Sequence, residues 1–178
     1  NTCVAMVLKY YGAADITPDM ISSKWGTSVA QATGGLKAIF NEEAALRGLR
    51  VRDRSTEDGT LIELHEALDA GKPVIVHGGF STVGHLMVLV GYDARYYYAM
   101  DPASKWTEQV NGGFTNTDDA DIGRYTRYGR ESVENAILSS DHRRLIRMHL
   151  PYFEPGPLEA TWEGAWTDTA VAGGRFRL

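Results

Sequence analysis

The run Pro73-Val74-Ile75-Val76-His77 constrains the fold most, because it is β-branched and continuous where a half-exposed strand would alternate. It is expected to form a strand buried on both faces. The segment before it opens on a capping box, Thr60-Leu61-Ile62-Glu63, places Leu61, Leu64, Ala67 and Leu68 on one side, and stops at Gly71. That spacing predicts a helix leading into the strand. After a flexible connector from Gly78 to Thr82, His85 to Tyr92 and Tyr96 to Asp101 read as two further strands. The intervening Asp93-Ala94-Arg95 is short enough to join them as a hairpin.

The chain before this sheet reads as helical. Val4, Val7, Leu8 and Tyr11 recur at i, i+3, i+4 and i+7 and define one buried face, with Gly12 as a C-terminal stop. Thr17-Pro18-Asp19 has the form of an N-cap, an N1 proline and a first turn for a short helix towards Trp25-Gly26. Thr27 to Gly35 is expected as a loop. Leu36, Ile39, Phe40, Ala44 and Leu46 then keep a helical period until Gly48, and Leu49 to Arg52 alternates as a short strand. Beyond the hairpin, Lys105 to Arg130 reads as long loops over the sheet and a substrate rim. A short helix capped by Ser132 runs to Leu138, and Leu145 to Leu150 is a last strand. Pro155-Gly156-Pro157 breaks the pattern, and Thr161 to Leu178 alternates weakly with Trp162 and Trp166 on one face. Helices followed by an antiparallel sheet make an α+β fold.

A chain of 178 residues, 43% hydrophobic, can bury one good core and is expected to be one domain. Its net charge of -5 argues against binding nucleic acid through phosphate neutralisation or binding anionic lipid. No stretch approaches the roughly 18 apolar residues of a membrane span, so a soluble protein, secreted or associated with the cell envelope, is expected. The single cysteine excludes an internal disulfide.

That cysteine, Cys3, sits at the start of the first helix. Unpaired backbone N–H groups and the positive end of the helix dipole favour a thiolate there, so a lowered pKa and a nucleophilic role are expected. A buried, inert cysteine is the commoner fate of a lone Cys. Cys3 also lies two residues from the first residue, as expected of a processed N-terminus or of a chain with further sequence upstream.

The hairpin supplies a partner. If Tyr92 pairs with Tyr96, His85 lies opposite Ala103, and Asp101 is diagonally adjacent to His85 on the same face. An imidazole and a carboxylate can then hydrogen-bond at the open end of the hairpin, as a base and its orienter. Taken singly, a strand-end histidine and an Asp-Pro turn are ordinary. Taken with a helix-start cysteine, they form the set a thiol hydrolase needs. Asp93, about eight residues or roughly 26 Å of extended strand from His85, is too distant to serve.

Other chemistries have less support. Cys3, His77 and His85 lack the paired spacing of zinc ligands, and a metal would quench the nucleophile, so no metal or other cofactor is expected. Gly34-Gly35 and Gly78-Gly79 match no phosphate loop.

Cys3 with Ala5-Met6-Val7-Leu8-Lys9-Tyr10-Tyr11-Gly12, then Gly71 to Val76, Gly84-His85, Val90-Gly91-Tyr92-Asp93 and Asp101-Pro102 resembles the peptidase C39-like group of papain-fold cysteine peptidases. The similarity continues through Lys105-Trp106 and Arg127-Tyr128-Gly129 to Met148-His149, so it covers roughly residues 1 to 150, leaving 151 to 178 as a C-terminal extension packed on the same domain. The resemblance implies N-terminal helices on an antiparallel sheet, with Cys3 as nucleophile, His85 as base and Asp101 as orienting carboxylate. It also implies a bacterial or phage enzyme acting on peptide, in leader processing or on cell-wall peptide. The family's oxyanion-hole glutamine before the cysteine is not in the chain, and Asn1 is a weak substitute. An acyl-transfer enzyme of the transglutaminase or deamidase type and a catalytically silent peptide-binding module are the alternatives.

Overall fold

A computed structural model describes residues 1–115, 119, 121–139 and 143–155. The weak alternation from Thr161, Trp162 and Trp166 lies outside the described residues, as does most of the proposed extension.

The helical third forms as its signals predict. Helix α1 spans Thr2–Tyr10 and buries Cys3, Val4, Ala5, Val7 and Leu8. Gly12, at φ +106, lets the chain leave through a backbone region that residues with a side chain rarely adopt. Helix α2, Pro18–Trp25, starts on Thr17, whose side chain accepts from the Met20 N–H. Helix α3, Thr33–Leu46, begins earlier than expected, and a 3₁₀ turn at Val29–Gln31 occupies part of the expected loop.

Strand β1 runs over Val51–Gly59, far past the short strand the apolar alternation suggests. It is an edge strand, and most of its later residues are partly or fully exposed, so its polar sequence hides it. Helix α4, Leu61–Asp69, carries the complete capping box of Thr60 and Glu63. Strand β2, Val74–Gly78, is buried at every residue, as its continuous apolar run requires. Strands β3, His85–Tyr92, and β4, Tyr96–Met100, form the hairpin. Within the expected loops lies a further strand, β5, Thr126–Gly129. Helix α5, Arg130–Leu138, starts two residues before the expected cap at Ser132, with Gly129 at its N-cap. Strand β6, Ile146–Phe153, completes the sheet.

The six strands run in the order β1-β6-β2-β3-β4-β5, with every pairing antiparallel. Side-chain alternation in the central strands separates two cores. Ile75 and Val88 join α1, α2 and α3 on one face, whereas Val74, Val76, Met87 and Leu89 join α4 and α5 on the other. The fold is mixed helix and antiparallel sheet, as expected. No helix of the described residues is long and apolar enough to cross a membrane.

The hairpin register agrees with expectation where it matters. Val88 pairs with Met100 and Leu89 with Ala99, but nearer the loop Gly91 pairs with Tyr98 and Tyr92 with Tyr97. A bulge between Leu89 and Gly91 absorbs the one-residue difference. Asp93 organises the turn by accepting from the Arg95 and Tyr96 N–H groups and the Tyr98 hydroxyl. It is thus committed to the end of the hairpin away from His85.

Candidate active site

His85 opens β3, and Asp101 follows the last residue of β4, so the open end of the hairpin brings them together. The His85 Nε2 lies 3.0 Å from the Asp101 Oδ1. An ionised carboxylate only accepts, so Nε2 is the donor and Nδ1 is the ring nitrogen left to take a proton. The ring is held edge-on by Phe114, at a centroid distance of 4.6 Å, and by Phe80 at 6.3 Å.

Asp101 is itself fixed. Its side chain is fully buried, Oδ1 also accepts from the Ala103 N–H at 3.0 Å, and Oδ2 accepts from the Tyr128 hydroxyl at 2.8 Å. Tyr128 in turn accepts from the Trp106 N–H at 2.8 Å. Burial, with Asp101's charge next, raises the Tyr128 pKa, so the phenol remains a donor. Tyr128 was missed as a site residue because its strand was read as loop.

Cys3 and His85 border one cleft of about 180 Å³, together with Thr27, Gln31 and Pro102. The Cys3 thiol donates to the Leu86 carbonyl at 3.4 Å, so it is anchored to the residue next to His85. The expected lowering of its pKa does not occur. Cys3 is only 4% exposed, and burial pushes its thiol up to about 12. Asp101's charge pushes it further up, and a backbone hydrogen bond at Cys3 lowers it. The helix-end effect is local and modest, whereas desolvation of a thiolate in a packed core is larger.

Asn1 does not offer an oxyanion donor, because its side-chain amide donates to the Ser22 hydroxyl at 2.7 Å and the Gly26 carbonyl at 2.9 Å. Gln31 is the exposed amide bordering the cleft. A larger cleft of about 520 Å³ runs along α1 past Lys9, Tyr10 and Tyr125 and meets the pair only at Asp101.

The sheet face covered by α1, α2 and α3 carries a second constellation. The His149 Nδ1 lies 2.5 Å from the Asp53 Oδ2, and the His149 Nε2 lies 3.0 Å from the His77 Nε2. All three side chains are buried, and no one strand contains more than one of them. With Asp53 accepting, His149 donates through Nδ1 and takes a hydrogen bond from His77 at Nε2. Among the described residues no group of three or more His, Cys, Asp or Glu side chains could hold a metal ion.

A family model described as the Peptidase C39 like family matches residues 1–133. No curated protein sequence matches the chain. Among solved structures, the chain is similar to the crystal structure of a "putative C39-like peptidase" from Bacillus anthracis, with a TM-score of 0.57 and 16% identity over 88% of each chain. At that identity the likeness shows the fold, and the family match shows the kinship: the chain belongs to the peptidase C39-like family.

Proposed function

We propose that the chain is a cysteine peptidase that hydrolyses peptide bonds, with Cys3 as nucleophile, His85 as base and then acid, and Asp101 as the carboxylate that orients His85. The observation that carries this reading is the 3.0 Å His85–Asp101 contact beside the cleft that His85 shares with Cys3. With the resting thiol near pKa 12, the nucleophile is made on demand. The Cys3 thiol turns from the Leu86 carbonyl to the His85 Nδ1, which takes its proton as sulfur bonds to the substrate carbonyl carbon. The oxyanion is met by the Cys3 N–H and by the Gln31 amide. Collapse breaks the C–N bond, His85 returns the proton to the leaving amine, and water then hydrolyses the thioester.

A second reading is favoured by the buried thiol: Cys3 packs the start of α1, and the domain binds peptide without cutting it. The two separate on one experiment. The protein is incubated with a peptide library and with peptidoglycan fragments, and products are read by mass. Cleavage that a thiol-directed electrophile abolishes, with one adduct on Cys3, is the expected result. Cleavage products indicate a peptidase, and isopeptide products on adding amine indicate an acyl transferase. No product and no adduct leaves the binding module.

Tyr128→Phe removes the donor to the Asp101 Oδ2 and the acceptor of the Trp106 N–H, leaving two buried polar groups unpaired. A loss of about 1–3 kcal/mol in stability is expected from the unfolding midpoint in urea. Turnover is expected to fall with little change in KM, because Asp101 acts on the base and not on substrate binding.

A further inference from the structure

We propose that the cleft bounded by Arg147, His77, Val83 and His85 is a subsite that binds a substrate carboxylate next to the scissile bond, an inference that rests on the peptidase reading above. This cleft, of about 370 Å³, shares Gln31, His85 and Leu86 with the cleft that holds Cys3. A peptide lying across His85 therefore reaches both.

Arg147 is what gives the cleft its chemistry. On β6, Ile146, Met148 and Leu150 point into the core beneath α4 and α5, so Arg147 falls on the opposite face with buried His149. That face is otherwise covered by α1, α2 and α3. Arg147 is half-buried there, and its guanidinium makes no hydrogen bond or ion pair with another described residue. A guanidinium taken partly out of water without a counter-charge is costly, and it is retained most readily where a ligand brings the counter-charge. Its planar fork matches a carboxylate with two parallel hydrogen bonds.

The surrounding groups narrow the ligand. His77 lies on the neighbouring strand and hydrogen-bonds His149 through Nε2, and burial lowers its pKa, so it contributes no positive charge to compete with Arg147. Asp53 accepts from His149 through Oδ2 and makes no ion pair with Arg147 among the described residues. Val83, 94% exposed, and Leu86 form an apolar rim. An aliphatic stem ending in a carboxylate, or the carboxyl end of a peptide, fits that combination.

The test uses the same peptide library in two forms, with free and with amidated C-termini, and compares wild type with Arg147→Gln. Wild type is expected to enrich aspartate, glutamate or a terminal carboxylate within two positions of the cut by about tenfold or more, the scale of one charge-assisted contact. Arg147→Gln is expected to lose that enrichment through KM while cutting neutral peptides at the wild-type kcat. Loss of the signal on amidation assigns the terminal carboxylate, and its survival assigns the side chain. A wild type with no acidic preference, or a variant that keeps it, overturns the subsite. The second arm removes the dependence on turnover: Cys3→Ala protein is immobilised, incubated with the library, and its bound peptides are sequenced. Acidic enrichment that disappears in the Cys3→Ala, Arg147→Gln double variant supports the subsite even where no peptide is cut, and equal capture by both proteins overturns it.

Discussion

Cys3→Ala and His85→Ala are each expected to reduce peptide hydrolysis by on the order of 10³-fold or more, and the double variant is expected to lose no more than either one. The reason lies in the resting state of the thiol. With burial holding its pKa up at about 12, Cys3 rests as the thiol at pH 7, so attack depends on proton transfer to His85 in the same step. A base that has no thiol to deprotonate and a thiol that has no base leave the same residual rate. Multiplicative losses would show that the two side chains work separately, and unchanged turnover in Cys3→Ala would end its assignment as nucleophile. Folding does not confuse the result at His85, which is partly exposed at the cleft. At Cys3 a methyl replaces a thiol in a packed core, so Cys3→Ser, close in size, is measured beside it; both are expected to lose turnover while keeping the unfolding free energy within about 1–2 kcal/mol of wild type.

What could be read from the sequence was what local chemistry encodes. The Thr60–Glu63 box, the Thr17 cap with Pro18, and the double-sided burial of Val74 to Val76 all appear as expected, because each is decided within a few residues. The contact of His85 with Asp101 was also legible, since a short hairpin fixes which residues meet at its open end. The loop estimate was one residue short, yet the bulge near Val90 restored the pairing before it reached the site. The electrostatics of Cys3 were not legible. A helix N-terminus is visible in sequence, but the packing of α1 against α3 and β3 that desolvates the thiol is tertiary. The Asp53–His149–His77 relay was hidden for a similar reason. Asp53 lies two residues from Ser55, the partner of His149, and His77 lies two residues from Ile75, its partner on the other side. Only the order β1-β6-β2 sets the three on one face, and that order joins the second half of the chain between two earlier strands.

The relay sets the second large expectation, a loss of stability in mild acid that is centred on His77. Burial lowers the His77 pKa from its ordinary value to about 3, with the neighbouring His149 and Arg147 lowering it further. Above about pH 6.5 the ring is neutral in both folded and unfolded chains, and the relay's stability is fully present. Below that, the unfolded chain takes up a proton that the folded chain refuses, so stability falls as pH falls, by up to about 1.4 kcal/mol per pH unit, until pH approaches 3. The groups facing His77 do not remove the effect: Asp53 is spent on His149, Arg147 repels a second cation, and the site-side His85 is paired with Asp101. Between pH 7 and pH 4.5 a loss of about 2–3 kcal/mol is expected from this ring, a substantial part of the 5–15 kcal/mol typical of a domain. The check is the urea midpoint measured across that range for wild type and His77→Gln. Glutamine can still donate to His149 but has nothing to titrate, so the variant is expected to start less stable at pH 7 and to show a shallower decline in acid. Parallel declines in the two proteins would place the acid sensitivity elsewhere, as in the Glu43 carboxylate paired with Arg47, and would show that the folded relay accepts a proton without cost.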